Sequence, residues 1–259
     1  MDKLEKKHWD QAAQDYQAVF RLGLSEYNRE LLRFWTERGM LFPGARVLDI
    51  GCGVGKYGSY LAELGYDVTL VDLSEEMIRH VRENMAPYRT PWAAHCCDFD
   101  AVTGEEPVFA QGFDFSLSTM SPAVHDPETV RKMSAMTRKW CFLARFCAWE
   151  QPFRDRLLQA MGLPPRKLFA DLKADCEAMI GAVRSAGFEP EVKLVDYNWC
   201  DERTPGQMAD YMKRNYFAAD ADREELYREA LRRCEALADA NGRVSDAVNT
   251  RAAWICWRS

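Results

Sequence analysis

The chain has 259 residues, 47% hydrophobic and 29% charged, and a formal charge of −6 from 34 basic and 40 acidic side chains. That length supports a core without disulfide or metal staples, and the composition excludes disordered, collagen-like and coiled-coil chains. The acidic excess argues against a dedicated binder of nucleic acid or of an anionic membrane, since both use a surplus of Lys and Arg. Nine scattered cysteines, an odd number in a long chain, read as free thiols in a reducing compartment. No apolar stretch nears the ~18 residues of a membrane span. The charged opening Met1–Asp10 has no apolar segment behind it, so the expectation is a soluble, cytoplasmic protein.

Residues 1–40 read as helices. Ala12, Ala13, Tyr16, Val19 and Phe20 share one face, and Leu24, Tyr27, Leu31, Leu32 and Trp35 share another. A turn at Phe42-Pro43-Gly44 follows. Strands are then predicted at 46–50, 67–71, 92–97, 113–118, 140–146, 191–196 and 251–257. Helices are predicted at 56–65, 75–85 with Ser74 as N-cap, 127–138 with Pro127 in the first turn, and 168–186. Residues 150–169, interrupted by Pro152, Pro164 and Pro165, read as irregular or briefly helical. Two more helices, 206–217 and 221–240, fall between the last two strands. This alternation predicts an α/β fold, a doubly wound, mostly parallel seven-stranded sheet with helices on both faces. The expected organisation is one domain over 1–259, with N-terminal helices at 1–40 and a helical cap at 197–245.

The segment richest in chemistry is Val47-Leu48-Asp49-Ile50-Gly51-Cys52-Gly53-Val54-Gly55-Lys56, a strand that runs through three glycines into a helix. Glycine permits a tight turn and lets backbone approach a ligand closely, and the new helix offers unpaired N–H groups at the sheet's carboxyl edge. A dinucleotide fingerprint needs G-x-G-x-x-G, but its last position is Lys56. A Walker A loop needs one more residue before Gly-Lys and a hydroxyl after it, where this chain has Tyr57. The remaining pattern is an acid, G-x-G-x-G, and a second acid ending the next strand. Asp49 and Asp72 complete it.

On these residues the chain resembles the class I S-adenosylmethionine-dependent methyltransferases, of the small-molecule type. Asp49–Gly55 is similar to that family's first motif, Val71-Asp72 to its second, and Cys97-Asp98-Phe99 to the step that contacts adenine. Trp9-Asp10-x-x-Ala13-x-x-Tyr16 resembles an N-terminal helix of small-molecule members. The likeness runs in order of elements from about residue 9 to 196. It implies a Rossmann-like fold and S-adenosylmethionine as cofactor, with Tyr16, Asp49, Gly51, Gly53, Gly55, Asp72, Leu73, Asp98, Phe99 and Ser118 around it. In that picture Asp49 meets the ammonium group and Asp72 accepts from the ribose hydroxyls. Leu73 and Phe99 flank adenine while Asp98 accepts from its amino group.

The acceptor is expected beyond the fourth strand, where the chain reads Ser118-Thr119-Met120-Ser121-Pro122-Ala123-Val124-His125. This departs from the Asn/Asp-Pro-Pro-aromatic pattern of nucleic-acid amino-methylating relatives, so a small-molecule acceptor is expected, with no nucleic acid or membrane as partner. Methyl transfer needs alignment more than acid–base chemistry, and His125 is the candidate base where a proton must leave. Tyr197, Trp199, Tyr211 and Tyr216 are candidates to hold an apolar or cationic acceptor, and Arg145, inside a strand, to hold a substrate carboxylate. No cysteine spacing matches a zinc site, so no metal is expected. The alternative reading is a non-catalytic S-adenosylmethionine-binding module that acts through protein partners. Oligomeric state and acceptor atom are not legible.

Overall fold

The computed structural model describes residues 3–164, 171–217 and 222–259. The N-terminal segment forms α1 (Lys3–Arg21) and α2 (Glu26–Glu37). Ser25 starts the second helix with a reciprocal cap: its hydroxyl accepts the Asn28 N–H, and the Asn28 side chain accepts the Ser25 N–H.

Seven strands follow: β1 (Arg46–Ile50), β2 (Asp67–Asp72), β3 (Trp92–Cys96), β4 (Phe113–Thr119), β5 (Thr137–Glu150), β6 (Glu191–Arg203) and β7 (Val244–Arg258). They form one sheet in the order β3-β2-β1-β4-β5-β7-β6, mostly parallel with one antiparallel hairpin. The pairs β1–β2, β1–β4, β2–β3 and β4–β5 are all parallel. The helices between them are α3 (Lys56–Glu63), α4 (Glu75–Met85), α5 (Pro107–Ala110), α6 (Pro127–Ala135), α7 (Pro152–Ala160), α8 (Leu172–Ser185), α9 (Pro205–Asn215) and α10 (Arg223–Leu237). Strand order reverses between β1 and β4, and at such a switch point the loops leaving two neighbouring strands part and open a crevice. The glycine turn leaves β1 there and the Thr119–Ala123 loop leaves β4.

The elements match the sequence reading closely in the first half and depart from it in identifiable places. Ser74 caps α4, accepting the Met77 N–H at 3.1 Å. The helix predicted to reach Arg138 stops at Ala135, and Thr137 already belongs to β5, which extends to Glu150. Arg138, the last residue of the predicted helix, lies exposed with Lys139 at the start of β5. Pro152 opens α7 at its first turn, where a missing N–H costs nothing. The expected helix start at 168–170, Pro165, and the link at 218–221 lie outside the described residues.

The chain divides into two compact units, one comprising 1–145, 176–193 and 253–259 and the other 146–175 and 194–252. The second unit is larger than the expected cap because it includes α7 and the segments around it. In the first, Trp35 is fully buried, its ring 5.4 Å from Phe115 and 5.3 Å from Phe142, both edge-on. The buried Trp254 Nε1 donates to Tyr27 Oη at 2.9 Å. The second unit has its own core, in which Met208, Met212, Ala230, Cys234 and Val244 pack with Leu157 and Leu158.

Candidate functional site

The geometry of the glycine turn follows from what its backbone must reach. Gly51 N–H and Cys52 N–H both donate to Val71 O, at 2.8 and 3.0 Å, tying the end of β1 to the end of β2. Gly53 N–H donates to Asp72 Oδ2 at 2.8 Å, and Ser74 N–H to Asp72 Oδ1 at 2.9 Å. Asp72 is therefore the anchor of the turn as well as a wall of the pocket. At Gly51, φ is +67° and a Cβ would lie 1.8 Å from Ser121 Oγ, so only glycine lets the β4 loop approach. At Gly53, φ is +56° and a Cβ would meet nothing nearer than Tyr16 Cδ1 at 3.9 Å, which leaves its face open to a ligand.

Around this turn lies an open pocket with about 1090 Å³ of empty space. Trp9, Tyr16 and Val19 line it from α1, Gly51 to Val54 and Lys56 from the turn, and Asp72, Leu73 and Met77 from the end of β2 and the start of α4. Cys97, Asp98 and Phe99 follow from beyond β3, and Thr119 to Ala123 from beyond β4. The spacing of the N-terminal motif now has a cause. Asp10 accepts the Ser74 hydroxyl at 2.6 Å, and small Ala13 packs on Val54 and Met77. One turn to either side, Trp9 and Tyr16 then face the pocket, their rings edge-on at 6.3 Å.

Asp49 sits beneath this pocket, 1% exposed. Among the described residues, neither of its carboxylate oxygens has a hydrogen-bond partner. Burial, with the Asp72 carboxylate as a second cause, pushes its carboxyl up to about 8. Asp72 is raised to about 6 because burial outweighs its N–H donors. A floor made of an unsatisfied carboxyl beside a second acid lacks a cation or a set of donors. The Ser118 hydroxyl is likewise buried without a partner, though it does not line the pocket.

Seven of the ten expected cofactor residues line the pocket together: Tyr16, Gly51, Gly53, Asp72, Leu73, Asp98 and Phe99. Asp49 and Ser118 lie buried behind the wall. Gly55 does not line it but caps α3 with φ +80°, a Cβ there standing 3.3 Å from Leu70 and Val81. His125 lies outside the lining, 45% exposed, with Asp100 at 4.0 Å and Asp126 at 3.9 Å. Arg145 also lies outside it. Its guanidinium donates to backbone carbonyls, Ala144 O at 2.9 Å and Val124 O at 2.7 Å, and desolvation lowers its pKa to about 10.

In the second unit Tyr197 and Trp199 stack with ring centroids 5.2 Å apart, and Trp149 meets Trp199 at 5.2 Å. Tyr211 and Tyr216 are engaged otherwise. Arg154 forms a buried ion pair with Asp246 at 2.5 Å, and donates to Tyr211 Oη at 2.9 Å and Tyr216 Oη at 3.5 Å. The Tyr216 hydroxyl in turn donates to Gln151 Oε1. Sequence reasoning passed over Trp9, Cys52, Lys56, Met77 and Cys97 as pocket residues. Cys52 and Lys56 stand inside or next to the glycine motif, so that motif was the available signal.

Comparison with known proteins agrees with this site. Residues 47–140 match the family model described as a methyltransferase domain. The chain is 50% identical over 40 residues to the ubiquinone biosynthesis O-methyltransferase of Xanthomonas campestris pv. campestris, covering 15% of this chain and 17% of that one. It is 43% identical over 75 residues to the malonyl-[acyl-carrier protein] O-methyltransferase of Erwinia pyrifoliae, covering 27% and 29%. These matches span well under half the length of either relative. Among solved structures, magnesium protoporphyrin IX methyltransferase from Synechocystis PCC 6803 with bound SAH shares the fold, with a TM-score of 0.51 and 16% identity over 74% of this chain and 91% of that one. S-adenosylmethionine is a cation with an ammonium, a ribose diol and an adenine. The orphaned Asp49 carboxyl, Asp72, and Phe99 with Asp98 fit those groups in turn. Residues 47–140 therefore match a methyltransferase domain, and the chain shares the Rossmann-like fold of a solved methyltransferase.

Proposed function

We propose that the chain is an enzyme that transfers a methyl group from S-adenosylmethionine to a small-molecule acceptor and releases S-adenosylhomocysteine. The observation that carries this reading is the pair of unpartnered Asp49 oxygens beneath an open glycine turn. A buried carboxyl without donors is costly, and a cationic ligand in the pocket supplies the missing partner. When bound, S-adenosylmethionine supplies an electrophilic methyl group. The chain's own residues do the rest: Asp72 holds the glycine turn and accepts from a diol, Phe99 and Leu73 flank a flat base, and the apolar lining excludes water. Residues 1–259 act as one methyltransferase domain in this reading.

A small acceptor is supported by the acidic charge balance and by the substrates that the relatives' names carry, ubiquinone precursors and an acyl-carrier-bound malonyl group. A base is required only where the acceptor must lose a proton. His125 is the proposed one, and His125→Gln should then lower kcat without changing affinity for S-adenosylhomocysteine. Tyr197, Trp199, Tyr211 and Tyr216 of the second unit are proposed as acceptor-binding residues, as is Arg145 of the first, whose guanidinium donates to backbone carbonyls.

The test is incubation of the protein with S-adenosylmethionine and a pool of cell metabolites, with S-adenosylhomocysteine and methylated products read by mass spectrometry. The reading expects both to appear together. Binding of the cofactor with no turnover on any pool would overturn it in favour of a non-catalytic cofactor-binding module.

A further inference from the structure

Resting on that reading of the pocket, we infer that Lys56 is a cofactor-binding residue whose ammonium holds the carboxylate of the cofactor's amino-acid portion. Charge complementarity carries the assignment. The pocket lining contains two acids, Asp72 and Asp98, and, among the described residues, a single cationic side chain, Lys56, with the Asp49 carboxyl buried beneath. The acids suit the cationic and hydroxyl-bearing parts of the ligand, and Lys56 is the lining side chain whose charge suits its one anionic group, beside the unpaired N–H groups that open α3.

Lys56 has the properties of a group waiting for an anion. It is half-buried in the wall of the pocket. Burial lowers its pKa, and no carboxylate among the described residues opposes that effect. Two other basic groups of the same unit behave differently: Lys6 is paired to Glu75, and Arg46 to Asp67. Its backbone is fixed as the first residue of α3, directly after Gly55. The first turn of that helix carries no acidic side chain, and Gly55 makes no side-chain cap, so the helix itself supplies no counter-charge to Lys56. A desolvated ammonium against a carboxylate is worth more than the same pair in water.

The test compares two ligands on three proteins by titration calorimetry. S-adenosylhomocysteine carries the carboxylate, and its decarboxylated analogue lacks only that group. Wild-type protein should bind the analogue roughly ten- to a hundredfold more weakly, as expected for one charge-assisted contact. Lys56→Met should weaken S-adenosylhomocysteine by a similar factor and leave the analogue's affinity unchanged, and Lys56→Arg should restore most of the loss. Equal weakening of both ligands by Lys56→Met, or none of either, would overturn the assignment. Failure of the wild type to bind either ligand would instead remove the reading of the pocket itself.

Discussion

Replacing Asp49 with Asn tests whether an unpartnered buried carboxyl is what the glycine turn is built over. The group is 1% exposed and its pKa is pushed from an ordinary 3.8 to about 8. The native state therefore holds a proton that the unfolded chain releases between those values. Stability must fall as pH rises from about 4 to about 8, and level off above. Four units at about 1.36 kcal/mol each place the full cost on the order of 5 kcal/mol at pH 8. Asn removes the titration but buries an amide with few partners, itself worth about 1–3 kcal/mol of penalty. Without ligand, Asp49→Asn should thus be more stable than wild type by roughly 2–4 kcal/mol at pH 8, the difference vanishing or reversing near pH 4. Urea unfolding at a series of pH values measures this. Ligand affinity should run the other way, since only the ionised carboxyl attracts a cation. Wild-type affinity for S-adenosylhomocysteine should rise up to about tenfold per unit toward pH 8, and the variant should be weak and flat by comparison. Equal stability of the two proteins from pH 4 to pH 8 would refute the reasoning.

Three further outcomes follow from named contacts. Asp72→Ala removes the acceptor of Gly53 N–H and Ser74 N–H; it should cost about 1.5–3 kcal/mol of stability and weaken S-adenosylhomocysteine in calorimetry. Gly51→Ala forces a Cβ to within 1.8 Å of Ser121 Oγ. It should displace the β4 loop, visible as altered amide shifts at Met120, Ser121 and Ala123, whereas Gly53→Ala should keep that loop, lose affinity, and lose only the ~1–2 kcal/mol that a side chain costs at its positive φ. Arg154→Met leaves the fully buried Asp246 carboxylate with only its longer contact to Arg203 Nε at 3.3 Å and should destabilise by up to about 3–5 kcal/mol in urea. The paired change Arg154→Met with Asp246→Leu should recover most of it, and full additivity of the two losses would count against the pair.

The glycine turn and the pocket around it were legible because their requirements are local. A tight turn needs Gly51 and Gly53, a strand end needs Asp72, and each leaves its mark within a few residues. The same holds for Ser74 as a cap and for the strand at 46–50, whose limits match. Where contacts join residues far apart in sequence, the reading had less to work with. Lys56 counted only as a departure from other nucleotide motifs, since its environment depends on α1 and β2. Tyr211 and Tyr216 read as candidates to hold an acceptor, and the structure sets their hydroxyls around Arg154, a partner 57 and 62 positions away. The lengths of β5, β6 and β7 were underestimated for a related reason. The first half of β7 alternates buried with more exposed positions, the second half of β6 alternates half-buried with exposed ones, and the second half of β5 is half-buried, unlike the continuous apolar runs of β1 and β2 that signal buried parallel strands.

The central claim is that the pocket over Asp49 and Asp72 takes an S-adenosyl ligand. The most direct measurement is calorimetric titration of the 259-residue chain with S-adenosylhomocysteine, and with NAD as control, at pH 8. The account predicts one saturable site for S-adenosylhomocysteine, a matching rise in Tm, and no heat of binding with NAD. Saturable binding of NAD with none of S-adenosylhomocysteine would contradict it.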